Sequence, residues 1–318
     1  MNSSPPSYVG FGMLTPVVIA VVDQWPEHNT GAVIKEVSEF VFDDAAIVAC
    51  LLRQWDVPSA IIGTAVGDDA RGHRLANQLE EWGVQAEVRF TREFKTPVEV
   101  DVSDSGGART YFWQRSQQIL NTLDTVDLAP LRAARVLYVD WYDGDHILRA
   151  MDEAARLGLP IFLNFEHGHV DPALLERYGR RATVCQAVTD AAQLGSEPPI
   201  EVARKLLRTG VKTAIITLAG EGCLALQGNE ALRVHAPQVD PVDGCGAGAT
   251  FSAGYIYGFL KGWNFCDSLR FATAAASLKV TRAGLEMFPV DQIAAVAAGL
   301  KSKELQLTES EPSEDALP

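Results

Sequence analysis

The stretch PVDGCGAGATFSAGYIYGFL, residues 241–260, sets Gly244, Gly246 and Gly248 within five positions and then runs on through small and apolar residues. Helix N-termini carry unpaired N–H groups and a partial positive charge, so a glycine turn feeding one can hold a phosphate or a developing oxyanion. Glycine lets a ligand approach the backbone closely, which makes Gly246, Ala247, Gly248 and Ala249 a candidate anion hole. The bare spacing fits a tight turn with close helix packing equally well. No carboxylate opens the helix: Asp243 precedes the turn, where a structural hydrogen-bonding role is the simpler reading. Cys245 lies at the predicted helix start, where a thiolate is favoured or a small side chain simply fits.

The elements able to position such a turn are legible from about residue 59, where short β-branched or apolar runs alternate with helical patterns. That alternation predicts a parallel sheet covered by helices. SAIIGTAVG reads as a strand and DDARGHRLANQLEEWG as a helix, with Leu75, Leu79 and Trp82 on one face and Gly83 as its stop. RVLYVDWY, PIFLNF and TVCQAV predict strands followed by the helices DHILRAMDEAARLG, DPALLERYG and IEVARKLLRTG; Asp171 is the expected N-cap of the second, with Pro172 at its first position. KTAIITLAG and CLALQG predict a strand pair, and helices are expected over 247–262, 264–283 and about 290–301.

Two segments break the alternation. LTPVVIAVVDQWP with GAVIKEVSEFVF, and PVEVDVSDSGGARTYFW at 98–113, read as antiparallel ribbons with polar turns, suited to a flap over a cleft or a dimer contact. The expected organisation is one α/β domain over 1–303, with lid strands near 13–42 and 98–113, and an acidic, disordered tail over 304–318.

Composition narrows the function classes. Of 318 residues, 47% are hydrophobic, and the net charge of −14 disfavours nucleic acid and anionic lipid as partners. Five scattered cysteines without a C-x-x-C pair suggest neither a disulfide framework nor a zinc site, and a cytoplasmic setting fits them. No apolar run reaches transmembrane length, and MNSSPPSYVGFG lacks the regions of a secretory signal.

VDGCGAGATFSAGYIYGFL resembles the C-terminal signature of the PfkB/ribokinase family of carbohydrate kinases, Asp-Thr-x-Gly-Ala-Gly-Asp-x-Phe, with Asp243, Gly246, Ala247, Gly248 and Phe251 matching. VGDDARG (66–72), VEVDVSDSGGARTYF, IITLAGEGCLAL (215–226) and AAASLKVTRAG carry the resemblance along nearly the whole chain. It implies a ribokinase-like α/β fold, with a central, mostly parallel sheet flanked by helices and a small β lid. It also implies ATP-dependent phosphoryl transfer to a sugar hydroxyl with Mg²⁺, in which a carboxylate accepts the hydroxyl proton. That carboxylate ends the family's Gly-Ala-Gly-Asp, and here the position is Ala249. The resemblance places Thr217, Gly220 and Gly222 in a nucleotide loop, with Ala219 replacing a glycine, and makes Asp190 the remaining acid of the magnesium-linked motif, Ala187 standing where its amide should be.

Other positions depart as well. Phe42, Asp43 and Ala46 stand where the family has Gly-Gly and Asn; Thr15, Pro16 and Val17 where an early Asp is expected; Asn164, Glu166 and Gly168 nearest its Asp-x-Asn-x-Arg. Asp43 and Asp44 read as a helix N-cap and first-turn acid, or as the lining of an altered pocket. FEHGH and DWYDGDH follow predicted strands and supply acids and histidines, but too few ligands for a metal centre; solvated loop residues and caps are the simpler reading. A dinucleotide fold is disfavoured, because the glycines come late and lack the downstream acid. The expected protein keeps the kinase scaffold and part of its nucleotide site without ordinary catalysis, and binds a nucleotide or small polar metabolite. The alternative is an active sugar or nucleoside kinase with a relocated base, drawn from Asp43, Glu166 or Asp243. A homodimer through the lid strands is implied by the resemblance alone.

Overall fold

The computed structural model describes residues 4–104, 109–188 and 197–306. Its strands, in chain order, are β1 (Tyr8–Gly12), β2 (Thr15–Val22), β3 (Ile34–Phe42), β4 (Ser59–Gly63), β5 (Val66–Gly67), β6 (Gln85–Ala86), β7 (Phe90–Thr91), β8 (Glu99–Ser103), β9 (Arg109–Trp113), β10 (Val136–Asp140), β11 (Ile161–Glu166), β12 (Val184–Val188), β13 (Thr213–Thr217), β14 (Cys223–Gln227), β15 (Glu230–Val234) and β16 (Ser302–Glu304). The helices are α1 (Asp44–Gln54), α2 (Ala70–Glu81), α3 (Gln117–Leu120), α4 (Leu148–Arg156), α5 (Pro172–Tyr178), α6 (Pro199–Arg208), α7 (Ala247–Lys261), α8 (Phe265–Lys279) and α9 (Val290–Gly299).

A ten-stranded sheet in the order β16-β15-β14-β13-β12-β11-β10-β1-β4-β6 forms the centre. It is parallel from β13 through to β6 and antiparallel from β13 to β16. Both faces are covered, so its strands read as continuous apolar runs. Along β10, Val136 and Tyr138 join one core with α1, α7 and α8, whereas Leu137 and Val139 join the other with α4 and α6.

Local signals placed several elements well. Asp171 caps α5 by accepting from the Ala173 and Leu174 N–H groups, with Pro172 at the first turn, and Gly83 follows α2 at φ +71°. By contrast, β1, which lies ahead of the first strand expected from the sequence, sits inside the sheet between β10 and β4. Its glycines serve close packing: a Cβ on Gly10 would meet the Ala45 carbonyl at 2.8 Å, and one on Gly12 would meet the Asp143 carboxylate at 2.6 Å. Two boundaries are corrected. The helix expected over 264–283 ends at Lys279, and Glu304, read as the start of an unstructured tail, closes edge strand β16 against β15. The rest of that tail from 307 lies outside the described residues.

The two ribbons that interrupt the alternation pair with each other in a separate sheet, β3-β2-β8-β9. Its outer pairs are antiparallel as expected, but β2 and β8 run parallel at its middle. Register sets its faces: Glu99 lies opposite Trp113, Asp101 opposite Tyr111 and Ser103 opposite Arg109, so these six share one face.

Candidate active site

Parallel sheets present ligand-binding groups beyond the C-terminal ends of their strands. Here β10 ends on Asp140 and β11 on Asn164 and Glu166, beside the start of α1. The Asn164 side-chain N–H donates to Asp44 at 3.0 Å and to Asp140 at 2.7 Å, tying the two acids together. Glu166 accepts from the Tyr142 hydroxyl at 3.1 Å and sits at φ +40°, where the pairing of β11 with β12 shifts register. Asp43 caps α1 through the Asp44 N–H at 2.9 Å and is ion-paired to Arg115, which also holds Asp143. The inner face of the β3-β2-β8-β9 sheet closes over these groups and over the start of α7. The cleft between them, about 70 Å³, is lined by six carboxylic side chains, Asp43, Asp44, Glu99, Asp101, Asp140 and Glu166, by Arg109 and Arg115, and by Cys245, Gly246, Gly248 and Ala249.

The glycine turn enters α7 through Gly246 in the left-handed region at φ +71°, a conformation that favours glycine. The Ala247 N–H is taken up by the Gly244 carbonyl at 3.2 Å, whereas no hydrogen bond among the described residues uses the Gly246, Gly248 or Ala249 N–H. The Gly248 carbonyl is held from behind by the Gln186 amide at 3.3 Å and the Ser252 hydroxyl at 3.1 Å. Arg109 donates to the Gly244 carbonyl, bringing a positive charge to the same turn. Ala249 is buried, at 1% exposure, and ends in a methyl group.

Burial and mutual repulsion dominate the electrostatics. Asp44 and Asp140 are held well above the usual carboxylate range, first by burial and then by Asp43 and other neighbouring acids. Burial pushes Glu99 up to about 9 and Asp143 up to about 6, Arg115 opposing the second shift. Between the unfolded value of 4.5 and about 9, folded Glu99 keeps a proton that the unfolded chain releases, so its contribution to stability falls as pH rises across that window. Glu99→Gln removes this loss. We expect little change in the thermal midpoint at pH 5 and a gain on the order of 1–3 kcal/mol at pH 8; equal effects at both pH values would contradict the assignment.

The structure brings only some of the sequence-predicted residues together. Gly246, Gly248, Ala249, Asp43 and Glu166 line one cavity. Asp243, read from the sequence as a candidate substrate-side group, is corrected. It is fully buried, does not line the cavity, and accepts from four donors: the Ser103 hydroxyl, the Cys245 and Gly284 N–H groups and the Lys279 ammonium. Cys245 is no thiolate: burial, then the adjacent Asp101 carboxylate, raise its proton affinity, and its thiol donates to Asp101 at 2.7 Å.

Thr217, Gly220 and Gly222 lie apart from the cavity, in the loop after β13. The Thr217 hydroxyl donates to the Ala187 carbonyl at 3.3 Å. Ala219 adopts φ +45°, the left-handed conformation that the glycine it replaces would take without strain. A Cβ on Gly222 would meet the Val234 carbonyl at 2.2 Å, so close packing alone requires that glycine. Asp190 lies outside the described residues. Sequence reasoning missed Glu99, Asp101, Arg109, Arg115, Tyr111, Trp113 and Gln186; the acid–Val–acid–Val alternation of EVDVS was the available signal for the first two.

A mostly parallel sheet that carries a glycine turn at a helix start, with a small β sheet closing over it, defines a ribokinase-like α/β protein. Residues 32–291 match the pfkB family of carbohydrate kinases, and the chain belongs to that family. Similar proteins include an ATP-dependent 6-phosphofructokinase from Thermoanaerobacterium thermosaccharolyticum, 22% identical over 74% of this chain and 78% of its own. A nucleoside kinase from Methanothermobacter thermautotrophicus is 24% identical over 83% of this chain and 86% of its own. Among solved structures, a putative ribokinase from Agrobacterium tumefaciens superposes with a TM-score of 0.80 at 20% identity, covering 92% of this chain and 97% of its own. A putative ribokinase II from E. coli in complex with ATP and Mg²⁺ gives 0.78 at 18% identity, covering 92% and 99%.

Proposed function

We propose that this chain binds a nucleotide and a small polar ligand on a PfkB scaffold, and that its phosphoryl transfer is impaired. The observation that carries this reading is Ala249: the turn offers the Gly248 and Ala249 N–H groups to an anion, but its side chain cannot accept a proton. Backbone donors do not depend on side chains, so an anion hole survives the loss of a base. The solved neighbour with ATP and Mg²⁺ supports ATP as the nucleotide, with the loop of Thr217, Gly220 and Gly222 as a further contact. Bound Mg²⁺ would supply charge neutralisation at the phosphates. No group of three or more His, Cys, Asp or Glu side chains among the described residues is arranged to hold a metal, which suits an ion carried mainly by phosphate and water. The free thiols support a cytoplasmic setting, and among the described residues no helix is long and apolar enough to cross a membrane.

A second reading has its own observation. The left-handed backbone at Glu166, strained for a side-chain-bearing residue, is of the kind that persists at functional sites, and its carboxylate lines the cavity. On this reading the chain is an active sugar or nucleoside kinase with Glu166 as the relocated base. An ATP-turnover screen over sugars and nucleosides, with Ala249→Asp and Glu166→Gln beside the wild type, separates the two. Wild-type turnover abolished by Glu166→Gln favours the second reading, and binding without turnover favours the first.

The β3-β2-β8-β9 sheet also supports a homodimer. Its inner face carries acids, whereas Ile34, Val37 and Phe112 expose 55%, 59% and 56% of their surface, and Val37 and Phe112 lie on the opposite face beside Ala20 and Val100. Exposed apolar patches of this kind mark interaction sites. Light scattering on the purified chain is expected to give the mass of two chains, and of one after Val37→Glu with Phe112→Glu. A wild-type monomer at micromolar concentration would remove the proposal.

A further inference from the structure

Two acids of β8 line the cavity with no cation paired to them among the described residues, and one of them has a fully buried oxygen without a hydrogen-bond partner. Glu99 and Asp101 occupy alternate positions of β8, share its inner face and line the cavity, at 6% and 2% exposure. Among the described residues the Glu99 carboxyl makes no hydrogen bond or ion pair. Asp101 uses one oxygen for the Cys245 thiol, and its Oδ1 has no partner. Buried carboxyls are ordinarily paired.

The cavity's own cations lie near both acids, Arg115 lowering the proton affinity of Glu99 and Arg109 that of Asp101, but among the described residues neither forms an ion pair with them. Arg115 is held by Asp43 and Asp143, and Arg109 donates to the Gly244 carbonyl. The chain between Ser103 and Arg109 reads DSGGA and contains no basic residue.

The geometry points to an ammonium group of the acceptor as what Glu99 and Asp101 recognise, which makes the acceptor an amine-bearing polyol, an amino sugar or aminocyclitol. This rests on reading the cavity as the acceptor site. The aromatic wall fits the same class. Tyr111 and Trp113, directly opposite the two acids on β9, stack with ring centroids 4.9 Å apart. Their faces suit both a cation and the C–H face of a sugar ring. A phosphorylated acceptor would set a dianion among six carboxylic side chains, with Arg115 already paired to Asp43 and Asp143 and Arg109, which donates to a neutral carbonyl, as the one guanidinium of the cavity without an ion pair among the described residues. A neutral sugar could hydrogen-bond to the two acids but would bring no charge to hold them ionised. Burial raises the proton affinity of both acids, and an adjacent ammonium would reverse that shift.

Calorimetric titration of the full chain with D-glucosamine, D-galactosamine and 2-deoxystreptamine tests this, each beside its neutral counterpart (D-glucose, D-galactose and scyllo-inositol), with D-glucose 6-phosphate as the anionic comparison. At least one amine is expected to bind tenfold or more tighter than its counterpart. Glu99→Gln and Asp101→Asn are each expected to erase that preference, read as the ratio of amine to neutral affinity in the same variant. Amines that bind no better than their counterparts, fail to bind at all, or lose to the 6-phosphate overturn the proposal, as does a preference that survives both substitutions. Unfolding midpoints of the variants verify that they fold. A non-hydrolysable ATP analogue titrated into the same samples reports on the kinase scaffold separately: amine preference without nucleotide binding would leave this inference standing and remove the nucleotide reading.

Discussion

Ala249→Asp is expected to raise ATP-dependent phosphoryl transfer by about 10²- to 10⁴-fold over the wild type, the range that a positioned general base ordinarily supplies. The residue is the third of α7, at the cavity wall and next to N–H groups that no hydrogen bond among the described residues uses. A carboxylate there would stand between the anion hole and the acceptor space. It would also join Asp44, Asp140 and Glu166 around one cavity. Like charges and burial raise a carboxyl's proton affinity, so the variant's activity should rise with pH and be greatest above neutrality, where the new carboxyl is ionised. ADP release measured over the sugar and nucleoside panel, with and without acceptor, checks both statements. A wild-type rate equal to the variant's would show that another group already does the work, and loss of that rate in Glu166→Gln would identify it.

How far the sequence foretold this site depends on whether each feature is local. Caps and stops such as Asp171 and Gly83 act within one turn of helix, and the βα alternation is a pattern of periods, so both were legible. The contacts of Arg115 were not: its partners Asp43 and Asp143 lie 72 and 28 residues away, and nothing in a window of sequence joins them. Gln186 was overlooked because its role, holding the Gly248 carbonyl, exists only once β12 and α7 are adjacent. In EVDVS the usual rule was reversed. Binary patterning sends Val100 and Val102 inward and the acids to solvent, yet Glu99 and Asp101 line the cavity and the valines take the opposite face. That inversion links two properties of the sheet: acids turned toward the cavity leave apolar residues on the outer face.

Removing the Lys279 ammonium is expected to be the most damaging single change to the fold. Lys279 and Asp243 are 1% and 0% exposed, and the ammonium donates to the Asp243 carboxylate at 2.9 Å and to its carbonyl at 3.0 Å. Through that carboxylate the end of α8 is clasped to Ser103 of β8, to the Cys245 N–H in the glycine turn and to Gly284 at φ +69°. The pairing matters for the anion hole too, since an unneutralised acid beside the turn would repel a phosphate. Lys279→Met leaves Asp243 buried without its counter-charge. Breaking one side of a buried pair costs about 3–5 kcal/mol, which for a chain of 318 residues lowers the melting midpoint by roughly 4–8 °C. Lys279→Met with Asp243→Asn should recover much of that stability, because the uncompensated charge is gone. Nucleotide affinity should stay low, because the turn has lost its clasp. Thermal unfolding and nucleotide titration on the two variants measure these separately: a single variant as stable as the wild type would show that the pair contributes nothing, and a double variant with wild-type affinity would detach the clasp from the site.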